Sequence, residues 1–216
     1  MAARLWEMTL DGEVYGHLST SLINLAIGFT LSLVVGVTVG ILMARVPLIE
    51  AALDTYVYAF LTAPVLVFAP IFFAIFGLGR QTIVAVIVTY TIFVIIINTH
   101  DGIKAAPRDL IEMAESFNAS KTEIVRSVVV PAAGPAIMAG VRLGMGRAIK
   151  GMVNGEMFIA VVGLGGFVRR AGQSFDSETV LATVLLIVCV ALLISAVIQL
   201  VDRRVNFWLP SRLTGW

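Results

Sequence analysis

The feature that most constrains this chain is a set of long stretches holding no Asp, Glu, Lys or Arg. Residues 14–44 form one of 31 residues, 55–79 one of 25, 81–100 one of 20, and 179–201 one of 23. A hydrocarbon core about 30 Å thick is crossed by roughly 20 apolar residues in a helix. An isolated strand cannot satisfy its backbone groups in lipid, so each stretch is predicted to be helical. A fifth span is expected over about 132–159, where Arg142, Arg147, Lys150 and Glu156 interrupt an otherwise apolar run and must turn away from lipid. Gly140 and Gly144, and again Gly151 and Gly155, stand four apart there, a spacing that lets helices approach closely.

The expected class is therefore an all-α integral membrane protein with spans at about 18–43, 55–77, 81–98, 132–159 and 179–201. Composition agrees: 59% of the 216 residues are hydrophobic and 13% charged, against roughly 45–50% and about 25% in soluble domains. That excludes disorder, a disulfide scaffold and ordinary cytosolic enzymes. Cys189 is the one cysteine, and the two histidines, His17 and His100, fall at opposite ends of the topology, so no metal site is expected. A net charge of +1 offers no basic field for nucleic acid. Residues 1–17 contain no apolar core of a secretory signal. If the 99–130 segment is cytoplasmic, its side carries 8 basic residues and the other side 4, which puts the N-terminus outside.

Other connections are short, but the 104–131 segment has structure of its own. Pro107 suits a first helical turn. Leu110, Met113, Ala114 and Phe117 then follow at helical spacing. Asn118 tolerates the left-handed conformation that ends a helix. Ser120 and Glu123 frame a capping box opening a second helix, with Ile124, Val125, Val128 and Val129 on its apolar face and Pro131 as its stop. By pattern alone this helix pair either rests on lipid headgroups or docks a cytoplasmic partner.

Glu112-Met113-Ala114, then Asn118-Ala119-Ser120, then Val130-Pro131 resembles the EAA loop of binding-protein-dependent ABC importer permeases. Two positions depart from that pattern: Met113 stands for an Ala and Asn118 for a Gly. Further stretches resemble the branch that imports nitrate, aliphatic sulfonates and taurine. They are Pro64 and Pro70 followed by Phe76-Gly77-Leu78-Gly79; Asn98-Thr99-His100-Asp101-Gly102; Gly140-Val141-Arg142-Leu143, Gly146-Arg147-Ala148 and Glu156; Gly163-Leu164-Gly165; and Arg203-Arg204 with Trp208. The resemblance covers about residues 18–208, with 1–17 as an extracytoplasmic segment and 209–216 as a cytoplasmic tail. Members of that branch usually carry one further N-terminal span, and residues 1–17 hold none.

The resemblance implies the five-span core of a type I ABC importer permease in the bacterial inner membrane. Two permease copies, as a homodimer, would form the pathway. Cytoplasmic ATPase subunits would hold ATP and Mg, and an extracytoplasmic binding protein would deliver the solute. Glu112, Ala114, Phe117, Asn118, Ala119, Ser120 and Pro131 would carry the ATPase contact. No Gly-x-x-x-x-Gly-Lys-Ser/Thr run occurs, so this chain is not expected to bind ATP or to be an enzyme.

Ionisable groups inside a span are functional candidates by default. Arg147 and Lys150 share a helical face, and with Glu156 they are the candidates for lining the pathway. An anionic solute such as nitrate, a sulfonate or taurine would suit the two cations; bonds to loop carbonyls or to a carboxylate of a second subunit would equally account for them. Pro64 and Pro70 are candidate hinges or static kinks. Arg169 and Arg170 fall on an outer loop that could meet a binding protein. The alternatives are a self-sufficient secondary transporter or channel, or the same importer class carrying a vitamin precursor. A membrane enzyme lacks any convergent set of nucleophile, base or metal ligands.

Overall fold

A computed structural model describes residues 13–159 and 163–205. The N-terminal residues 1–12 and the tail with Trp208 lie outside the described residues. Helix α1 (Glu13–Arg45) is followed by α2 (Pro47–Thr62), a 3-10 turn (Val65–Phe68) and α3 (Ala69–Phe76). Then come α4 (Arg80–Lys104), α5 (Arg108–Ser116), α6 (Lys121–Ile124), α7 (Val130–Ile159), α8 (Gly163–Gln173) and α9 (Ser177–Val205). Among the described residues, four helical stretches are long and apolar enough to cross a membrane, or five if the bent pair of α2 with 65–76 counts as one.

Helix α4 is the centre of the bundle, with α1 on one side and α7 on the other. Its Ile83, Ile87 and Ile95 are completely buried. Small residues bring the neighbours this close. A Cβ on Gly28 of α1 would lie 2.6 Å from Ile87, and one on Gly140 of α7 would lie 2.7 Å from Asn98. The paired glycines of α7 thus all turn toward α4, as small-residue seams in lipid do. Buried hydroxyls on these helices bond back into their own backbone: Ser32 Oγ to Gly28 O and Thr91 Oγ1 to Ile87 O, both at 2.7 Å.

Three expectations about local structure give way. The short connection expected between the first two spans is almost wholly helical, because Pro47 presets the first turn of α2. Glu50 is held there by His100 Nε2 at 3.1 Å and Lys104 Nζ at 2.8 Å. Pro131 does not stop its helix. Val125–Val129 form a π turn that widens the backbone just before it, accommodating the proline ring and its missing N–H, and α6 runs through into α7. The outer connection carrying Arg169 and Arg170 is helix α8, amphipathic and lying against α1, where Phe167 meets His17 with ring centroids 5.2 Å apart.

The two prolines of the second span divide their effects. Ala63, extended because it precedes Pro64, ends α2, and the chain bends by 100°. Pro70 opens α3 at a position where no backbone donor is missed.

Candidate functional site

Two separate constellations occupy opposite ends of the bundle. At the first, α5 ends in a Schellman motif. Asn118 adopts φ 56°, its N–H donates to Glu115 O at 2.9 Å, and Ala119 N–H donates to Ala114 O at 3.1 Å. Ser120 then caps α6: its N–H donates to Glu123 Oε2 at 2.8 Å, and its Oγ accepts from Glu123 N–H at 3.3 Å. The sharp turn between the helices thus has its backbone groups satisfied locally.

The inward side of this pair forms a small core. Ala106, Ile124 and Val129 are buried, with Ile103, Ile111, Ala114, Ala119 and Ala132 packed against them. Ile103 belongs to α4 and Ala132 to α7, so the pair is welded to the ends of two long helices. The expected apolar stripe divides: Ala114 turns inward, whereas Leu110, Met113 and Phe117 stay exposed, Phe117 at 81%. Glu112 is also exposed, and its carbonyl accepts from Ser116 Oγ at 2.9 Å. The coupling candidates therefore sort into residues that shape the turn (Ala114 and Ala119 packed inward, Asn118 and Ser120 through their backbone geometry) and residues that present a surface (Glu112, Phe117). Pro131 sits behind both, at the head of α7.

The second constellation surrounds Glu156 near the far end of α7. Its side chain has no exposed surface. Ser21 Oγ donates to Glu156 Oε2 at 2.8 Å, Gly165 N–H donates to the same oxygen at 3.1 Å, and Asn24 Nδ2 donates to Oε1 at 3.4 Å. Ser21 Oγ in turn accepts from Leu164 N–H at 2.9 Å. The carboxyl group thus receives the first turn of α8, whose orphan N–H groups and positive dipole end need an acceptor. Gly163 has φ 76°, and a Cβ there would lie 2.2 Å from the Glu156 carboxyl carbon. No other residue combines that backbone with that approach.

Glu156, expected beside Arg147 and Lys150, is therefore enclosed between α1, α7 and α8 and does not open on a path within the protomer. Sequence reasoning missed its partners Ser21 and Asn24. The available signal was Ser21 and Asn24 three apart on one helical face, but the span also carries other Ser and Thr residues that do not single the pair out. Lys150 is exposed and Arg147 half-buried. Among the described residues neither forms an ion pair or hydrogen bond, whereas the third cation of α7, Arg142, pairs with Asp202 of α9.

Residues 36–207 match the family model of the binding-protein-dependent transport system inner membrane component. The formylaminopyrimidine transport permease protein ThiX of Halalkalibacterium halodurans is 33% identical over 198 residues, covering 92% of this chain and 78% of that one. The taurine transport system permease protein TauC of Escherichia coli is 27% identical over 199 residues, covering 92% and 72%. An inward-facing structure of the MetNI methionine ABC transporter superposes with a TM-score of 0.69 at 20% identity, covering 89% of this chain and 94% of that one. This last likeness is one of fold.

Proposed function

The chain belongs to the inner-membrane component family of binding-protein-dependent transport systems, and on that premise we propose how its parts divide the work of import. It is a multi-pass permease subunit of an ABC importer of the cytoplasmic membrane, and separate subunits hydrolyse ATP. In our reading the α5–α6 pair is the seat of those ATPase subunits, which bind the ATP and Mg. Glu112 and Phe117 make the contact, while Ala114, Asn118, Ala119 and Ser120 hold the turn in shape. A second copy of this chain completes the pathway, and an extracytoplasmic binding protein supplies it. The excess of basic residues on the α5–α6 side supports placing that end in the cytoplasm.

The observation that carries this reading is a helix pair capped at both ends of its turn, packed on α4 and α7, with apolar Leu110, Met113 and Phe117 left outside. A loop that only rested on headgroups has no need of a rigid turn. Helical structure continues from Lys121 to Ile159, 39 residues, or about 58 Å at 1.5 Å per residue. Displacing the pair would therefore move the Glu156 end of α7 as one body.

We take the solute to be a small organic anion. Arg147 and Lys150, unpaired among the described residues, support this, as does the likeness to a relative named for taurine, a sulfonate. The likeness to a formylaminopyrimidine permease supports a vitamin precursor instead. The coupling role is tested by Phe117→Asp, which changes an exposed side chain. ATPase subunits should co-purify with the wild-type chain in near-equal amount and be lost from the variant, with thermal stability in detergent unchanged. Undiminished ATPase in the variant would sink the assignment of this face.

A further inference from the structure

We infer that a cleft at the end of the bundle remote from α5 and α6 accepts the head group of a small organic anion, with Arg169 as its anchoring cation. The cleft measures about 590 Å³ and is lined by Leu66 of the 3-10 turn, Asn154, Met157 and Phe158 of α7, and Arg169 of α8. Ligand sites commonly fall between about 300 and 1,000 Å³.

The guanidinium is held in place before any ligand arrives. Arg169 Nη1 donates to Met157 O at 2.8 Å and to Phe158 O at 2.9 Å, two carbonyls in the last turn of α7. Arginine has five N–H donors in a planar fork. The Nη2 and Nε donors have no protein partner among the described residues, and Arg169 forms no ion pair. Glu156, on the same end of α7, is enclosed and engaged by Ser21, Asn24 and Gly165, and Asp176, seven residues on in the chain, bonds Thr179 through both carboxyl oxygens, so neither is paired with this charge.

A second polar group converges on the cleft. Asn154 Nδ2 donates to Tyr90 Oη at 3.0 Å, which fixes the amide across the helix seam. The rest of the lining is apolar. Phe158 is 44% exposed and braced by Phe73, with ring centroids 5.6 Å apart. A fixed fork of donors beside an apolar wall matches a ligand with a sulfonate or carboxylate head and a short hydrocarbon body. It matches a protein carboxylate less well, because the apolar wall would then have nothing to cover it.

The assignment rests on the importer reading, since it is the outer end of a solute pathway that needs such a site. The test uses the permease with its co-purified ATPase subunits in lipid nanodiscs and pentanesulfonate as the probe, titrated by ligand-observed NMR, with neutral pentanesulfonamide for comparison. Wild type should bind the sulfonate with a roughly millimolar Kd. Arg169→Gln should weaken it by about tenfold or more and leave the sulfonamide nearly unchanged. Arg169→Lys keeps the charge and loses the fork, so it should lie between. Arg80→Gln removes an exposed cation at the same end and should change nothing. If Arg169→Gln fails to fold, Arg169→Lys decides. No sulfonate binding by wild type, or equal binding by the folded Arg169 variant, overturns the assignment. Co-purification is read separately: a chain that binds sulfonate without ATPase subunits would strike the importer reading and leave the cleft standing.

Discussion

Replacing Glu156 tests the buried constellation through a contrast between two substitutions. Glu156→Ala strands three donors that now point at the carboxyl group: Ser21 Oγ, Gly165 N–H and Asn24 Nδ2. Each buried donor left unsatisfied costs about 1–3 kcal/mol, and a new cavity adds to that, so a loss of at least about 3 kcal/mol is expected. Glu156→Gln should behave very differently. Its carbonyl oxygen can take over both the Ser21 and the Gly165 bonds, which already share one carboxyl oxygen. Its amide nitrogen then faces Asn24, whose Oδ1 is buried without a partner. A half-turn of the Asn24 amide lets Oδ1 accept from that nitrogen, so the expected change is within about 1 kcal/mol. Chemical denaturation in detergent supplies both values, and hydrogen exchange at the Leu164 and Gly165 amides shows where they arise. Exchange there should quicken in the alanine variant and stay slow in the glutamine variant. Equal destabilisation by both substitutions, or none by alanine, would refute the idea that the carboxyl group serves as an acceptor for α8.

Gly163→Ala should cost at least about 2 kcal/mol, since it adds left-handed strain to a collision with Glu156; a stability curve matching wild type would remove the claim of close approach. At Asn118, φ 56° implies that Asn118→Gly is neutral or stabilising by up to about 1 kcal/mol, while Asn118→Val loses about 1–2 kcal/mol. Proteolysis at the α5–α6 turn, faster only in the valine variant, checks this. Lys150→Met should weaken anion uptake in reconstituted vesicles without loss of ATPase co-purification, and unchanged uptake would release Lys150 from the pathway.

The elements legible in the sequence were those whose cause is local. The capping box at Ser120 and Glu123 and the left-handed stop at Asn118 depend on residues within a few positions of one another, and both were read correctly. Glycine spacing on α7 announced a close seam. Charge was a poorer guide to boundaries. The connection between the first two expected spans is helical, and its Glu50 is held by His100 and Lys104, which lie about fifty residues away in the chain. Pro131 argued for a stop because a π turn upstream cannot be read from spacing. The outer segment escaped as a helix because its first turn is held by Ser21, 143 residues back in the chain, together with Glu156 inside the preceding span.

Hydrophobic length and the absence of charge by themselves determined that this chain is a helical membrane protein, since lipid leaves the backbone no other solution. They also determined where the capped helix pair interrupts the spans. The use of each polar group inside the bundle was decided only in three dimensions. Three cations on α7 share one helix and one charge, yet Arg142 is paired, Arg147 is half-buried and Lys150 is open. Glu156 resembled them as an intramembrane charge and proved to be an internal ligand for α8. Burial and hydrogen bonding depend on which helices meet, and that meeting joins residues 132 positions apart, as Asn24 and Glu156 are.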